Sequence, residues 1–240
     1  VYANWGTSFD YATRSPKSIK LQETTPLSGS NGSYTYQVSG VTIPVGSEDD
    51  QGTLAIQGKI CAANGVLGDC TAQSNSEVVI KSSHQFFTAT AISDTGRRVV
   101  VTNESCGSCH GDQQLVFHGS RNDLEGQCQV CHNPNMLADA TDTPSTTTAD
   151  FKHLAHGIHS GNREGYEAIN YPGDIGNCAQ CHAQDTDGLL TAALPLNAGG
   201  KPGAISGDRF TSPIAAIWSD CHSGNTSKNH MLQQGAVFMG

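Results

Sequence analysis

Six of the nine cysteines fall in three Cys-x-x-Cys-His motifs: Cys106-Gly-Ser-Cys109-His110, Cys128-Gln-Val-Cys131-His132 and Cys178-Ala-Gln-Cys181-His182. Two thiols at this spacing can add across the two vinyl groups of a haem, and the His that follows is then held beneath the iron as an axial ligand. With nine Cys and ten His in 240 residues, random placement gives on the order of 0.02 such motifs. Zinc sites also use Cys-x-x-Cys pairs, but zinc does not need a His directly after the second Cys. A thioredoxin-like redox role would need a βαβ pattern around the motif, and none is visible.

A fourth site is irregular, because Cys221-His222 has Trp218 where the first Cys should stand. One thioether could still hold a haem there with His222 on the iron, or the site is a remnant without haem. Six His lie outside the motifs: His84, His118, His153, His156, His159 and His230. Only three Met are present, too few to supply every sixth ligand. Bis-His coordination is therefore expected, with distal ligands drawn from those six. His153, His156 and His159 recur every three residues and fan over roughly 120° of a helix, so they can serve different haems. Two axial His leave no open iron position, which points to electron transfer rather than bond-making.

The elements that must position these groups divide in two. Up to about Asn103, short β-branched and aromatic runs alternate with polar residues: Tyr34–Val38, Leu54 and Ile56, Val78–Ile80, Phe86–Ala89 and Val99–Val101. That pattern predicts half-buried strands in a small antiparallel barrel or sandwich. Asn31-Gly32 reads as a tight turn between the Ile19–Leu21 run and the Tyr34–Val38 run. Beyond this point strand patterns stop, and Cys, His, Asp and Asn dominate. One helix is predicted there, with Asp150 as N-cap, Phe151, Leu154 and Ile158 on one face, and Gly161 as terminator. The expected division is residues 1–103 and 104–240. Cys61 and Cys70, outside the motifs, suggest a disulfide and an oxidising compartment. Such a bond is either a structural staple or a reducible one.

Hydrophobic residues make up 36% and aromatics 6% of the chain, a lean supply for burying two cores. Haem is a large apolar body that can fill part of the interior. A formal net charge of -9 disfavours nucleic acid and anionic lipid as partners. No apolar run reaches the ~18 residues of a membrane span. The chain opens at Val1 without a signal peptide and is read as a mature or trimmed piece.

The ordered motifs resemble the outer-membrane decahaem cytochromes of metal-reducing bacteria, the OmcA/MtrC family, over nearly the whole chain. The resemblance runs through Cys61 and Cys70 with their eight-residue gap, Cys106 to His110, His118-Gly119-Ser120-Arg121, and Cys128 to His132. It continues through Phe151-Lys152, His156-Gly157-Ile158-His159, Tyr171-Pro172-Gly173-Asp174, Cys178 to His182, Ser212 to Ala216, Cys221-His222 and His230-Met231. It implies a small antiparallel, Greek-key-like β-barrel domain closed by a Cys61–Cys70 disulfide. A mostly irregular, sparsely helical domain of covalently bound haem c would follow. Four haems are implied: the family's fifth motif is not present before Gly240. The resemblance favours His156 and His159 over His153 as ligands and leaves His84 a provisional one.

The resemblance further implies electron transfer at the cell surface, on the outer face of a bacterial outer membrane or in secreted form. Partners would be other cytochromes or an outer-membrane electron conduit. Acceptors would be metal oxides, metal chelates or flavins, the last as transient partners, with terminal metal reduction as an activity. The competing reading is a multihaem reductase with one open-coordinate haem. It would need an unfilled iron face, and no Cys-x-x-Cys-Lys variant is present. A purely structural β-domain with incidental haems is the third.

Overall fold

A computed structural model describes residues 1–6, 16–21, 26–31, 33–42, 51–63, 66–68, 76–88, 99–111, 115–133, 149–183, 203–205, 209–211, 218, 221–222, 224–234 and 236. Nine short strands come first: β1 Tyr2–Gly6, β2 Lys17–Ser18, β3 Ser28–Ser30, β4 Ser33–Thr35, β5 Gln51–Ile56, β6 Lys59–Ala63, β7 Val66–Gly68, β8 Ser76–Val79 and β9 Ser83–Phe87. Helices α1 Asn103–His110, α2 Gln127–Cys131 and α3 Phe151–His159 follow, then β10 Gly203–Ile205, β11 Arg209–Thr211 and helix α4 Asn225–Gln233. Every strand pairing among them is antiparallel. The class is thus β followed by a sparsely helical part. No helix among the described residues is long and apolar enough to cross a membrane.

The main sheet has the order β2-β1-β5-β9, so β1 pairs on one side with β2 and on the other with a strand almost fifty residues away. A second sheet has the order β7-β6-β8, and β3-β4 form a separate hairpin. Asn31 turns this hairpin at φ 52°, a left-handed conformation that Asn tolerates. A turn is present at Asn31, with Gly32 outside the described residues, but its first arm is Ser28–Ser30 rather than the Ile19–Leu21 run.

Several expectations need correction. Strand β1 has no alternating apolar pattern, yet it lies at the centre of the main sheet. Ala3 and Asn4 are buried, and the Asn4 amide donates to the Val130 carbonyl at 2.9 Å. Val99–Val101 is not a strand; it contributes one isolated bridge, Val101 to His182. The second part holds α1, α2, α4 and the β10–β11 pair besides the one predicted helix. The two motif helices went unread because Cys, Gly and Ser carry little helix propensity. Thr102 nevertheless caps α1 by accepting from the Ser105 amide at 3.0 Å. Asp150 stands at the start of α3 but makes no capping bond; its carboxylate pairs with Lys152 instead. Cys61 is buried on β6 and disulfide-bonded, while Cys70 lies outside the described residues.

The best-buried contacts lie where the main sheet meets α2. Ala55 on β5 and Val130 on α2 are both fully buried, and Tyr2 of β1 packs against them. Polar bonds surround this seam. The Ser82 amide donates to the Asn122 carboxamide at 2.6 Å, and the Asn122 amide returns a bond to the Ile80 carbonyl at 2.9 Å. His84 on β9 donates from Nδ1 to the Asp123 carboxylate at 2.6 Å. A Cβ at Gly126 would lie 2.2 Å from the His84 ring, so only Gly there lets that ring reach Asp123. Asp123 also accepts from the Asn103 amide at 2.8 Å and from the Gly126 amide at 3.1 Å. One carboxylate therefore ties a strand, the start of α1 and the approach to α2.

The His84–Asp123 pair makes stability depend on pH. The bond to Asp123 raises the His84 pKa against the opposing effect of burial. Asp123, although burial alone would raise it, is held below its ordinary value by His84 and Asn103. A raised His contributes fully below its unfolded pKa of 6.5 and loses that contribution as pH rises through the folded value. A lowered Asp contributes fully above its unfolded 3.8 and loses it as pH falls through the folded value. The pair is therefore at full strength between 3.8 and 6.5. Asp123→Asn is expected to cost about 2–3 kcal/mol in that window and less at alkaline pH, measured by denaturant unfolding at several pH values. A constant difference between parent and variant from pH 5 to pH 9 would sink this assignment.

Candidate functional site

The three complete motifs sit on short helical turns. The first is on α1, the second on α2 running into His132, and the third on a 3₁₀ turn at Cys178–Gln180. On a helical turn residues i, i+3 and i+4 share one face, so each motif presents its two cysteines and its His together. The turns are neighbours although the chain separates them. Gln180 donates to the Ser108 hydroxyl at 3.4 Å, and the Ala183 amide donates to the Val100 carbonyl at 2.9 Å. The Asn103 side chain at the start of α1 accepts from the Leu124 amide at 2.7 Å, which ties the first motif to the approach of the second. The first motif thus lies between the other two.

Each motif His of these three faces one spare His. The ring centres of His110 and His159 are 6.0 Å apart. Those of His132 and His118 are 5.9 Å apart, as are those of His182 and His156. Two imidazoles on opposite faces of one metal ion have ring centres about 6 Å apart, since a metal–imidazole bond is roughly 2 Å and the ring centre lies about 1 Å beyond the nitrogen. Edge-to-face aromatic packing covers a similar range, about 4.5–7 Å. It gives no reason, however, for one motif His to meet one spare His three times.

Ring orientation agrees with ligation. His132 Nδ1 bonds the Ala149 carbonyl, His156 Nδ1 the Lys152 carbonyl and His159 Nδ1 the Ala155 carbonyl, each at 2.7 Å. A carbonyl can only accept, so each Nδ1 carries the proton and Nε2 keeps the lone pair that a metal needs. On α3 the acceptors are carbonyls one turn earlier, so the helix itself aims both His156 and His159. Burial lowers the pKa of His132, and burial followed by the charge of His156 lowers that of His182. Both shifts favour the neutral, ligating imidazole. His182 Nδ1 is buried without a hydrogen-bond partner among the described residues.

The surroundings also fit a large apolar guest. Val116, Phe117, Ile169, Ile175 and Trp218, all close to motifs or spare His, are each more than 40% exposed. Tyr171 packs edge-on to His159 with ring centres 5.9 Å apart. Burial, with the charge of Asp123 next, pushes the Cys128 thiol up to about 12.

The remaining candidates are placed differently. His84 is held by Asp123 and packs edge-on against Phe86 at 5.1 Å. His153 is buried on α3. His222 and Cys221 are exposed, their amides donating to the Trp218 carbonyl at 2.7 Å and 3.1 Å. His230 is exposed on α4. Sequence reasoning missed Asp123, and it missed Arg121, whose guanidinium donates to the His118 carbonyl at 2.8 Å and to the Tyr2 hydroxyl at 2.9 Å. A lone Asp carries no local signal, and Arg121 was visible only as the end of a His-Gly-Ser-Arg run.

Two family models match the chain. Residues 1–93 match the family described as decaheme cytochrome c component MtrF-like domain III. Residues 98–240 match the family described as outer membrane cytochrome MtrC/MtrF-like, domains II/IV. The multiheme cytochrome MtrC of Shewanella baltica strain OS185 is 25% identical over 197 residues, covering 81% of this chain. The chain spans 29% of that relative's length. The crystal structure of MtrC from Shewanella baltica OS185 superposes with a TM-score of 0.57 at 20% identity, over 100% of this chain and 41% of that one. With its second part matched over more than half the chain, this protein belongs to the MtrC/MtrF-like outer-membrane multihaem cytochromes.

Proposed function

We propose that this chain is an electron-transfer segment that holds c-type haems at its Cys-x-x-Cys-His motifs, with His in both axial positions. The observation that carries the reading is the set of three motif-His to spare-His pairs with ring centres 5.9–6.0 Å apart. The ligand pairs are His110 with His159, His132 with His118, and His182 with His156. The attachment residues are Cys106 and Cys109, Cys128 and Cys131, Cys178 and Cys181. A fourth site rests on the sequence pattern, with Cys221 as a single attachment point, His222 as proximal and His230 as distal ligand. Haem bound at these sites supplies one-electron exchange between ferric and ferrous iron.

The residues themselves perform three tasks. The Cys pairs fix position covalently. The carbonyl-bound imidazoles of His132, His156 and His159 fix orientation and tautomer. Helix α3 presents two ligands one turn apart toward the first and third motifs, which keeps those sites adjacent. Haem held by a His pair at each site would leave iron no free place for a substrate, so the device would transfer electrons without making bonds.

By family membership the setting is the outer face of a bacterial outer membrane. The partners are other cytochromes of a transmembrane electron conduit, and the acceptors are metal oxides, metal chelates or flavins. The β-rich part serves as a docking module, and Cys61 pairs with Cys70 to staple it. His84 serves the His84–Asp123 clasp rather than an iron.

His156→Ala tests the reading. One haem in four is expected to change from low-spin to high-spin in the oxidised spectrum. Reoxidation of the fully reduced protein by a soluble ferric chelate is expected to slow in one kinetic phase. An unchanged spectrum together with an unchanged rate would exclude His156 as a ligand. His153→Ala serves as the control and should leave every haem low-spin.

A further inference from the structure

The first and second motifs are held in different ways. Helix α2 buries Gln127, Cys128 and Val130, the last against Ala55 of the main sheet, whereas α1 buries no residue. Cys109 and His110 at the end of α1 are exposed. A short helix without a buried face takes little restraint from a core. The first site must therefore be oriented from its other side, where His159 faces His110.

His159 is restrained twice. Within α3 its Nδ1 donates to the Ala155 carbonyl at 2.7 Å. The second restraint comes from outside the helix. The half-buried Tyr171 packs at 84° to the His159 ring, with centres 5.9 Å apart, inside the edge-to-face range of about 4.5–7 Å. The chain folds back on itself to make this contact. After α3 the Asn162 and Arg163 amides both donate to the Gly157 carbonyl, at 3.0 Å and 3.1 Å. The Tyr166 amide then donates to the Arg163 carbonyl at 2.9 Å, and the Ile169 amide to the Tyr166 carbonyl at 3.0 Å. Gly161 adopts φ 67°, and a Cβ there would meet the Ile169 carbonyl oxygen at 3.2 Å. The excursion thus returns against a residue two positions beyond His159 and delivers Tyr171 to that ring. Beyond Tyr171, the Gly176 amide donates to the Asp174 carboxylate at 2.9 Å and the Asn177 amide to the Asp174 carbonyl at 3.0 Å, which turns the chain into the third motif.

We infer that Tyr171 is a positioning residue of the first site: its ring fixes the plane of the His159 imidazole relative to that of His110. This rests on the bis-His reading given above. Groups around an axial ligand set the rotation of its ring, and that rotation selects the iron orbital that carries the unpaired electron of the oxidised form. The Ala155 bond holds the Nδ1 edge of His159, and the Tyr171 ring stands across a path by which the imidazole would otherwise swing. Because Tyr171 lies on the stretch leading into Cys178, orientation at the first site is tied to placement of the third. Gln180 and Ser108 already join those two sites. Electron exchange between neighbouring haems depends on how their orbitals face one another, so the contact tunes exchange between the two sites.

The test is low-temperature electron paramagnetic resonance of the fully oxidised, haem-loaded protein, with intact mass confirming the haem load of each variant. His159→Ala removes the ligand and identifies the low-spin signal of the first site by its loss. Tyr171→Leu keeps an apolar group but removes the ring. It is expected to displace the g values of that one signal, keep its iron low-spin and leave the other signals in place. Tyr171→Phe retains the ring without its hydroxyl and is expected to give the parent spectrum. A parent spectrum in Tyr171→Leu, a displacement of every signal together, or a Tyr171→Phe spectrum matching that of Tyr171→Leu would overturn the inference. Should Tyr171→Leu load less haem than the parent, Tyr171→Trp takes its place: a larger ring at the contact is expected to displace the same signal, and a parent spectrum there would overturn the inference. A parent protein without bis-His low-spin signals would overturn the haem reading, and this inference with it.

Discussion

The seam between the β1-β5-β9 sheet and helix α2 is the constraint on which the rest depends. Val130 and Ala55 are fully buried there, Asn4 ties β1 to the Val130 carbonyl, and Asp123 gathers His84, Asn103 and Gly126. A five-residue helix has too few backbone bonds to stand alone. Docked against the sheet, it holds Cys128 and Cys131 and delivers His132 toward His118. The same seam places Tyr2 under Arg121. Loosening it would disturb the second site first, then the first motif through Asn103.

A small protein core explains why the motifs must be filled. The described residues bury few large apolar side chains, and several large apolar ones stay exposed beside the motifs. Val116 and Phe117 directly precede His118; Ile169 and Ile175 bracket Tyr171. Large apolar groups left in water cost free energy unless something covers them. A covalently attached, planar, apolar cofactor at each motif would cover these groups, and the paired imidazoles would clamp it. Cofactor binding and folding of the second part would then be one process, as in other small domains that complete their core around a bound group.

What the residues disclosed on their own divides along physical lines. Covalent chemistry is local, so the Cys-x-x-Cys-His spacing was legible without any fold. Helix α3 was legible because Phe151, Leu154 and Ile158 keep a helical period, and it runs Phe151–His159. Asp150 reads as its cap by type, but Lys152 takes its carboxylate. Strand β1 was not legible, because its buried positions include Asn4, whose partner is 126 residues away. The assignment of each spare His to a motif was equally hidden: His118 is local to the second motif, but His156 and His159 reach their partners only through the way α3 packs against the first and third motifs. Arg121 and Asp123 are ordinary surface residue types until the sheet docks on them.

The measurement that bears most directly on the account is the intact mass of the denatured protein, taken together with its reduced pyridine haemochrome spectrum. Covalent haem at every complete motif requires a mass excess of at least three haems and a c-type band. Attachment through Cys221 alone would bring the excess to four. An excess of fewer than three, or a spectrum without the c-type band, would contradict the account and return the Cys-x-x-Cys pairs to the alternative of metal binding.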